Sequence, residues 1–224
     1  MFDDYLREIK DRLAQPLAMK MVNANPKTIS LIGLVSGIFS AVFAFLGFYG
    51  VALVMWLANR SLDGLDGLIA RLHGKQDDFG GYLDIMLDFT VYAALPIGLV
   101  LGAPSPDRYV ALIVMLAGFY INTASWMYLA AILEKRASRQ PDIKTTITMP
   151  SGLIGGFETI VFFSLFIVFQ AYITLLFSIF SALVLVTVFQ RLYWAKRNLN
   201  PSIDIIRGTE RENQYISSSI YSEE

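Results

Sequence analysis

The sequence predicts an all-α integral membrane protein: six transmembrane helices preceded by an N-terminal interfacial amphipathic helix. Three observations carry that prediction. Of 224 residues, 55% are hydrophobic and 17% charged, whereas a soluble domain has about 25% charged residues. The mean hydropathy is +0.52. Six stretches, at residues 28–48, 51–72, 80–103, 109–133, 153–170 and 171–193, are mostly apolar and hold about 20 residues each, the length that crosses a bilayer core as a helix.

Residues 1–22 mix charges with Phe2, Leu6, Ile9 and Leu13 at near-helical spacing, the pattern of a helix lying at a membrane surface. They lack the basic start, apolar core and small-residue cleavage site of a signal peptide, so the segment is expected to be retained. The last apolar run has to be cut into two spans, and Gln170, Ala171 and Tyr172 mark the place for a short turn. The expected plan is a juxtamembrane segment at 1–27, a catalytic transmembrane domain at 28–194 and a polar, Ser- and Glu-rich tail at 195–224.

Direction follows from the basic residues. Arg7, Lys10, Arg12, Lys20 and Lys27 precede the first span, and Arg71 and Lys75 flank the second connection. Lys135, Arg136, Arg139 and Lys144 follow the fourth span, and Arg191, Lys196, Arg197, Arg207 and Arg211 lie at the C-terminal end. Connections on the other side hold only Arg108, so both termini are expected to face the cytoplasm of a cell, in bacteria the inner, membrane. The chain has no cysteine, one histidine and a net charge of -1. Thiolate chemistry, any two-histidine mechanism and a strongly basic nucleic-acid binder are excluded.

Ionisable residues inside spans are costly and usually functional. Asp63 and Asp66 share one face of the second span, and Asp84 and Asp88 one face of the third. A short connection makes these spans an antiparallel hairpin, so both pairs fall within about two or three turns of it and four carboxylates can meet. Two divalent cations would cancel their charge, and all-oxygen ligation suits Mg²⁺ or Mn²⁺ in phosphoryl chemistry. The competing explanations are salt bridges to Arg60 and Arg71, or an ion pathway. Gly67 and Gly80 leave room for a ligand beside the carboxylates, and Arg71 has the planar fork that grips phosphate. Gly33 and Gly37 read as a helix-packing face.

The run Asp63-Gly-Leu-Asp66-Gly67-Leu-Ile-Ala70-Arg71, eight residues, then Gly80-Gly-Tyr-Leu-Asp84-Ile-Met-Leu-Asp88 resembles a family signature. It fills every fixed position of D-x-x-D-G-x-x-A-R-x(8)-G-x-x-x-D-x-x-x-D, the pattern of the CDP-alcohol phosphotransferases. The resemblance implies transfer of a phosphatidyl group from CDP-diacylglycerol to an alcohol acceptor, with release of CMP. It also implies that Asp63, Asp66, Asp84 and Asp88 bind two divalent metals and that Asp88 is the general base. Gly67, Ala70, Arg71 and Gly80 would line the CDP site. The family often has Asn-x-x-Thr where the first span begins. Alignment on Pro26 and Ile29 puts Lys27 and Ser30 there, whereas alignment by residue type gives Asn25 and Thr28. The family further implies a homodimer, for which the Gly33/Gly37 face is a candidate.

A phosphorylated acceptor needs basic residues. Lys135, Arg136, Arg139 and Arg191 are the acceptor-site candidates, with Glu158 either facing the acceptor or pairing with Arg60. Asn122, Thr123, Ser125 and Trp126 make the fourth span polar at mid-length, and His73 reads as surface. Two other functions fit parts of the pattern. One keeps the fold but takes a soluble CDP-alcohol as donor and diacylglycerol as acceptor. The other is an ion-coupled transporter, disfavoured by the lack of repeated hydropathy halves. Phospholipase-D-type synthases need two histidine motifs and are excluded.

Overall fold

The computed structural model describes residues 11–139, apart from 13, and residues 152–199. Among them are six α-helices: α1 (Pro26–Phe45), α2 (Tyr49–Leu72), α3 (Asp78–Gly102), α4 (Pro106–Arg139), α5 (Gly156–Val168) and α6 (Ile173–Asn198). The predicted surface helix lies partly outside the described residues; within them, residues 11, 12 and 14–20 are helical. The polar tail beyond residue 199 also lies outside.

Local chemistry sets the boundaries. Asn25 caps α1, its side chain accepting from the Lys27 N–H at 3.1 Å, and Pro26 occupies the first turn. At the other end, Gly47 takes φ +80°. The Phe48 N–H then reaches the Phe43 carbonyl at 2.9 Å and the Gly47 N–H that of Ala44 at 3.2 Å. This Schellman closure turns the chain straight into α2. A similar closure follows α2, where Gly74 has φ +61° and the Lys75 N–H bonds Ala70 O at 2.9 Å. Asp77 then caps α3, accepting from the Gly80 N–H at 2.8 Å. A 3₁₀ turn at Gln170–Tyr172 divides α5 from α6, at the predicted cut.

Among the described residues, four segments are long and apolar enough to cross a membrane: Pro26–Phe45, Asp78–Gly102, Pro106–Ser138 and Gln170–Asn198. Of the six expected spans, four are matched in this way, and those on α2 and α5 fall short by composition or length. Helix α2 carries Arg60, Asp63, Asp66 and Arg71. Helix α5 has 13 residues, about 20 Å of rise against a core of about 30 Å. Apolar side chains such as Leu31, Ile32, Val35 and Phe39 on α1 point outward, as lipid contact requires.

Helix α1 packs on α2 and α3, α4 packs on α6, and α5 bridges to α2. The core between the halves is aromatic. Trp56 stacks on Phe163 at 5.3 Å, and Phe166 meets Phe177 edge-on at 4.8 Å. Gly33 and Gly37 are buried inside this arrangement, not on an outer face. A Cβ on Gly37 would lie 2.5 Å from Val91 of α3. The expected dimer face is therefore consumed by packing within the chain.

Candidate active site

The hairpin of α2 and α3 brings the motif carboxylates together. One oxygen each from Asp63, Asp66 and Asp84 lies within 4.8 Å of the others. Asp66 is buried, and the Ser30 hydroxyl on α1 donates to its carboxylate. All-oxygen donors converging this closely fit Mg²⁺ or Mn²⁺.

Asp88 lies one turn farther along α3 and lines the same small space as the other three. Its Oδ1 accepts from Arg60 Nη2 at 2.7 Å. The guanidinium is fixed from every side. Its Nε donates to Asn59 Oδ1 at 2.8 Å, Nη1 donates to the Tyr92 hydroxyl at 2.9 Å, and Nη1 stands 3.9 Å from Asp63. Its carbon sits 5.0 Å from the Trp56 and Tyr92 ring centres. Arg60 is thus the counter-ion of Asp88, whereas Glu158 is not its partner. The Glu158 carboxylate accepts from the Gly155 N–H at 3.0 Å and closes the first turn of α5. A carboxylate three residues into a helix satisfies an otherwise orphaned backbone donor, and the expected link to Arg60 gives way to it.

Above the carboxylates opens a cleft of about 540 Å³, within the size range of small-ligand sites. Its walls are residues 23–27, Ser30, the C-terminal turns of α2 and the first turns of α3. Gly67, Ala70, Arg71 and Gly80 all line it, together with Lys27, Asp66 and Asp84. A side chain at Gly67 would come within 3.3 Å of Arg71 Nη1, so glycine keeps the fork unobstructed. Of the two possible alignments at the start of α1, Lys27 and Ser30 both line the cleft; Asn25 does so too, but Thr28 does not.

Several residues that sequence reasoning passed over shape this cleft. Lys75 Nζ donates to Val22 O at 2.6 Å and Ala24 O at 2.8 Å, holding the strand of chain that forms one wall. Asp77 accepts from Lys27 Nζ at 3.0 Å, and that ammonium holds its carboxyl below the usual range, with help from the Gly80 N–H. The signal for Asp77 was available: an aspartate three residues before the first helical glycine is a cap pattern. Trp56, Asn59 and Tyr92 had none, because aromatic and amide side chains at helical spacing read as core.

The acceptor candidates sit at the same end of the bundle but do not line the cleft. Arg136 donates to the carbonyls of Asn198 at 3.2 Å and Leu199 at 3.0 Å, closing the end of α6. Arg191 Nη1 donates to Asn122 O at 3.1 Å and Oδ1 at 3.0 Å, so Asn122 bonds a neighbouring helix. Lys135 is exposed near the end of α4, and Arg139 is the last residue of that helix. His73 is tied to the N-terminal segment, its Nε2 lying 3.0 Å from Ala18 O.

Comparison with known proteins shows the family and the fold. The CDP-alcohol phosphatidyltransferase family model matches residues 23–193. The inner membrane protein YnjF of Escherichia coli is 37% identical over 170 residues, 75% of this chain and 81% of its own. An archaetidylinositol phosphate synthase of Pyrococcus horikoshii is 28% identical over 102 residues, 43% of this chain and 54% of its own. The fold is similar to that of the Mycobacterium tuberculosis phosphatidylinositol phosphate synthase PgsA1 solved with CDP-DAG bound, at a TM-score of 0.62 and 18% identity. That match covers 81% of this chain and 92% of the other. The same enzyme was also solved in complex with manganese and citrate, at a TM-score of 0.62 and 19% identity over 80% of this chain and 87% of that one. With the family matched from residue 23 to residue 193, the chain belongs to the CDP-alcohol phosphatidyltransferases, membrane phosphotransferases acting on CDP-linked substrates.

Proposed function

We propose that the chain transfers the phosphatidyl group of CDP-diacylglycerol to an alcohol acceptor and releases CMP. The observation that carries this is the convergence of Asp63, Asp66 and Asp84 at the base of a cleft lined by Gly67, Ala70, Arg71 and Gly80. In this reading Asp63, Asp66, Asp84 and Asp88 hold two divalent cations, Mg²⁺ or Mn²⁺, which when bound neutralise the diphosphate and stabilise CMP as leaving group. Ser30 orients Asp66 through its hydroxyl. Arg71 and Lys27 bind phosphate oxygens, and the two glycines admit the nucleotide. Asp88 takes the proton of the acceptor hydroxyl while the acceptor oxygen bonds to the lipid-side phosphorus and the bond to CMP breaks. Arg60 keeps Asp88 aimed.

For the acceptor, Lys135, Arg139 and Arg191 are the residues we carry forward. Arg136 and Glu158 remain candidates beside them, although they, like Arg191, also bond backbone groups. A phosphorylated polyol suits basic residues of this kind, and the synthases of Pyrococcus and Mycobacterium carry inositol phosphate in their names. The proposal includes six spans, with both termini and the cleft on the cytoplasmic side, supported by the distribution of Lys and Arg. It keeps the three-part plan of the chain at 1–27, 28–194 and 195–224. Homodimerisation is carried forward from the family resemblance, through a surface other than the Gly33/Gly37 face.

The test is CMP release by purified protein supplied with CDP-diacylglycerol, Mg²⁺ or Mn²⁺ and a panel of alcohols led by inositol phosphate and glycerol phosphate. Release that needs both metal and one acceptor supports the proposal and names the product. Release only from soluble CDP-alcohols with diacylglycerol would replace it.

A further inference from the structure

Arg71 has an anchor that the family signature does not contain. We propose that Asp11 is a positioning residue of the CDP site, holding one edge of the Arg71 guanidinium so that the other edge faces the cleft. The proposal rests on the reading of the cleft as the CDP site.

Asp11 Oδ2 accepts from Arg71 Nη2 at 2.9 Å, across 60 residues of sequence. The other terminal nitrogen, Nη1, is the one that faces the bare α-carbon of Gly67. Arg71 lines two spaces: the cleft, and a second cavity of about 440 Å³ behind it that Asp11, Gln15, Leu68 and Leu72 also line. Asp11 is absent from the cleft wall. The guanidinium therefore stands as a partition, gripped from behind and open in front.

That placement argues for orientation and against competition. A carboxylate that blocked phosphate would sit in the cleft and cover the edge phosphate needs. Asp11 instead takes the rear edge, and its charge is farther from the cleft than the guanidinium is. A planar fork with five donors can serve both sides at once. A long flexible side chain loses rotamer freedom when it binds phosphate, and an anchor on its far edge has already removed much of that freedom.

The segment that carries Asp11 is itself anchored at several later residues. Ala18 is fully buried in a cluster with Ile29, Leu68 and Ile69. His73 and Lys75, just after α2, bond the carbonyls of Ala18, Val22 and Ala24. The N-terminal segment is thus fastened along the end of α2, and Asp11 extends that attachment to Arg71. Asp11 lies outside the family match, which begins at residue 23. Part of the donor site is accordingly supplied by the surface segment of this chain.

The experiment is calorimetric titration of the full-length purified protein with CDP in the presence of Mg²⁺, for wild type, Asp11→Asn, Asp11→Glu and Arg71→Lys. Asp11→Asn is expected to weaken CDP binding about tenfold, with kcat at saturating donor within about twofold of wild type and the melting temperature unchanged. Asp11→Glu restores most of the affinity, which a merely structural role for the segment would not require. Wild-type affinity in Asp11→Asn overturns the proposal, as does equal loss of kcat, affinity and melting temperature. Failure of the wild-type chain itself to bind CDP overturns the CDP-site reading along with it, and the wild-type titration tells that failure from the first.

Discussion

The two halves of the bundle solve opposite problems. Helices α1 to α3 carry the motif carboxylates and Arg60 through a nominally apolar region, and nearly every charge there meets another charge or a hydroxyl. Helices α5 and α6 are joined by aromatic packing, with Phe163, Phe166, Phe177 and Phe180 almost wholly buried. Their polar bonds to α4 lie at the helix ends, where Thr174 donates to Asp107 at 2.7 Å and Arg136 closes α6, and at mid-length of α4, where the buried Arg191 donates to Asn122. The difference shows how the fold affords chemistry in lipid. In the first half charges are set against partners that offset their desolvation, whereas the second half is held mainly by aromatic packing and, among the described residues, buries a single cation, Arg191, against the amide of Asn122.

Substitutions can break that contrast in a graded series. Asp88→Asn removes the proposed proton acceptor, and we expect turnover to fall by about 10³-fold, within the range for loss of a general base, while CDP binding persists. Steady-state CMP release beside CDP titration checks this; unchanged turnover assigns the base elsewhere. Phe177→Ala in the aromatic half should cost about 3–5 kcal/mol of stability, read as a lower unfolding temperature, with activity per folded molecule retained. Arg60→Gln should cost about 2 kcal/mol, because it takes the charged partner from the half-buried Asp88 and a donor from Tyr92. Unlike the phenylalanine change, it should lower the specific activity of the folded protein. If Phe177→Ala and Arg60→Gln affect activity alike, the two halves are not distinct in role. Arg71→Lys should weaken CDP binding by about tenfold, since a point charge replaces a planar fork. The smallest effect is expected at Gly47→Ala, about 1 kcal/mol in a thermal melt, because φ +80° disfavours a side chain although nothing lies within 4 Å of it.

Much of the site was legible because its chemistry is unusual for its surroundings. Aspartates three and four apart on apolar helices are conspicuous, and the short connection forces them together whatever the tertiary detail. The helix cut at Gln170 was also readable, since an apolar run of double length must turn. Partner choice was not. Glu158 and Asp88 are equally plausible partners for Arg60 in sequence, and only packing places Asp88 at 2.7 Å while Glu158 caps its own helix. The glycines at 33 and 37 illustrate the same limit. Small residues four apart mark a close helix contact, yet spacing does not say whether the neighbour is another helix of the chain or another copy. Here Val91 and Asn59 of the same chain fill the place.

The most direct test of the central claim is the number of Mn²⁺ ions bound per chain, counted by electron paramagnetic resonance on purified protein with CDP present. Two ions per chain, with loss of binding in Asp84→Asn and Asp66→Ala, is the predicted result. Wild-type binding that these substitutions leave intact, or no binding at all in folded protein, would contradict the assignment of the carboxylate cluster as a metal centre.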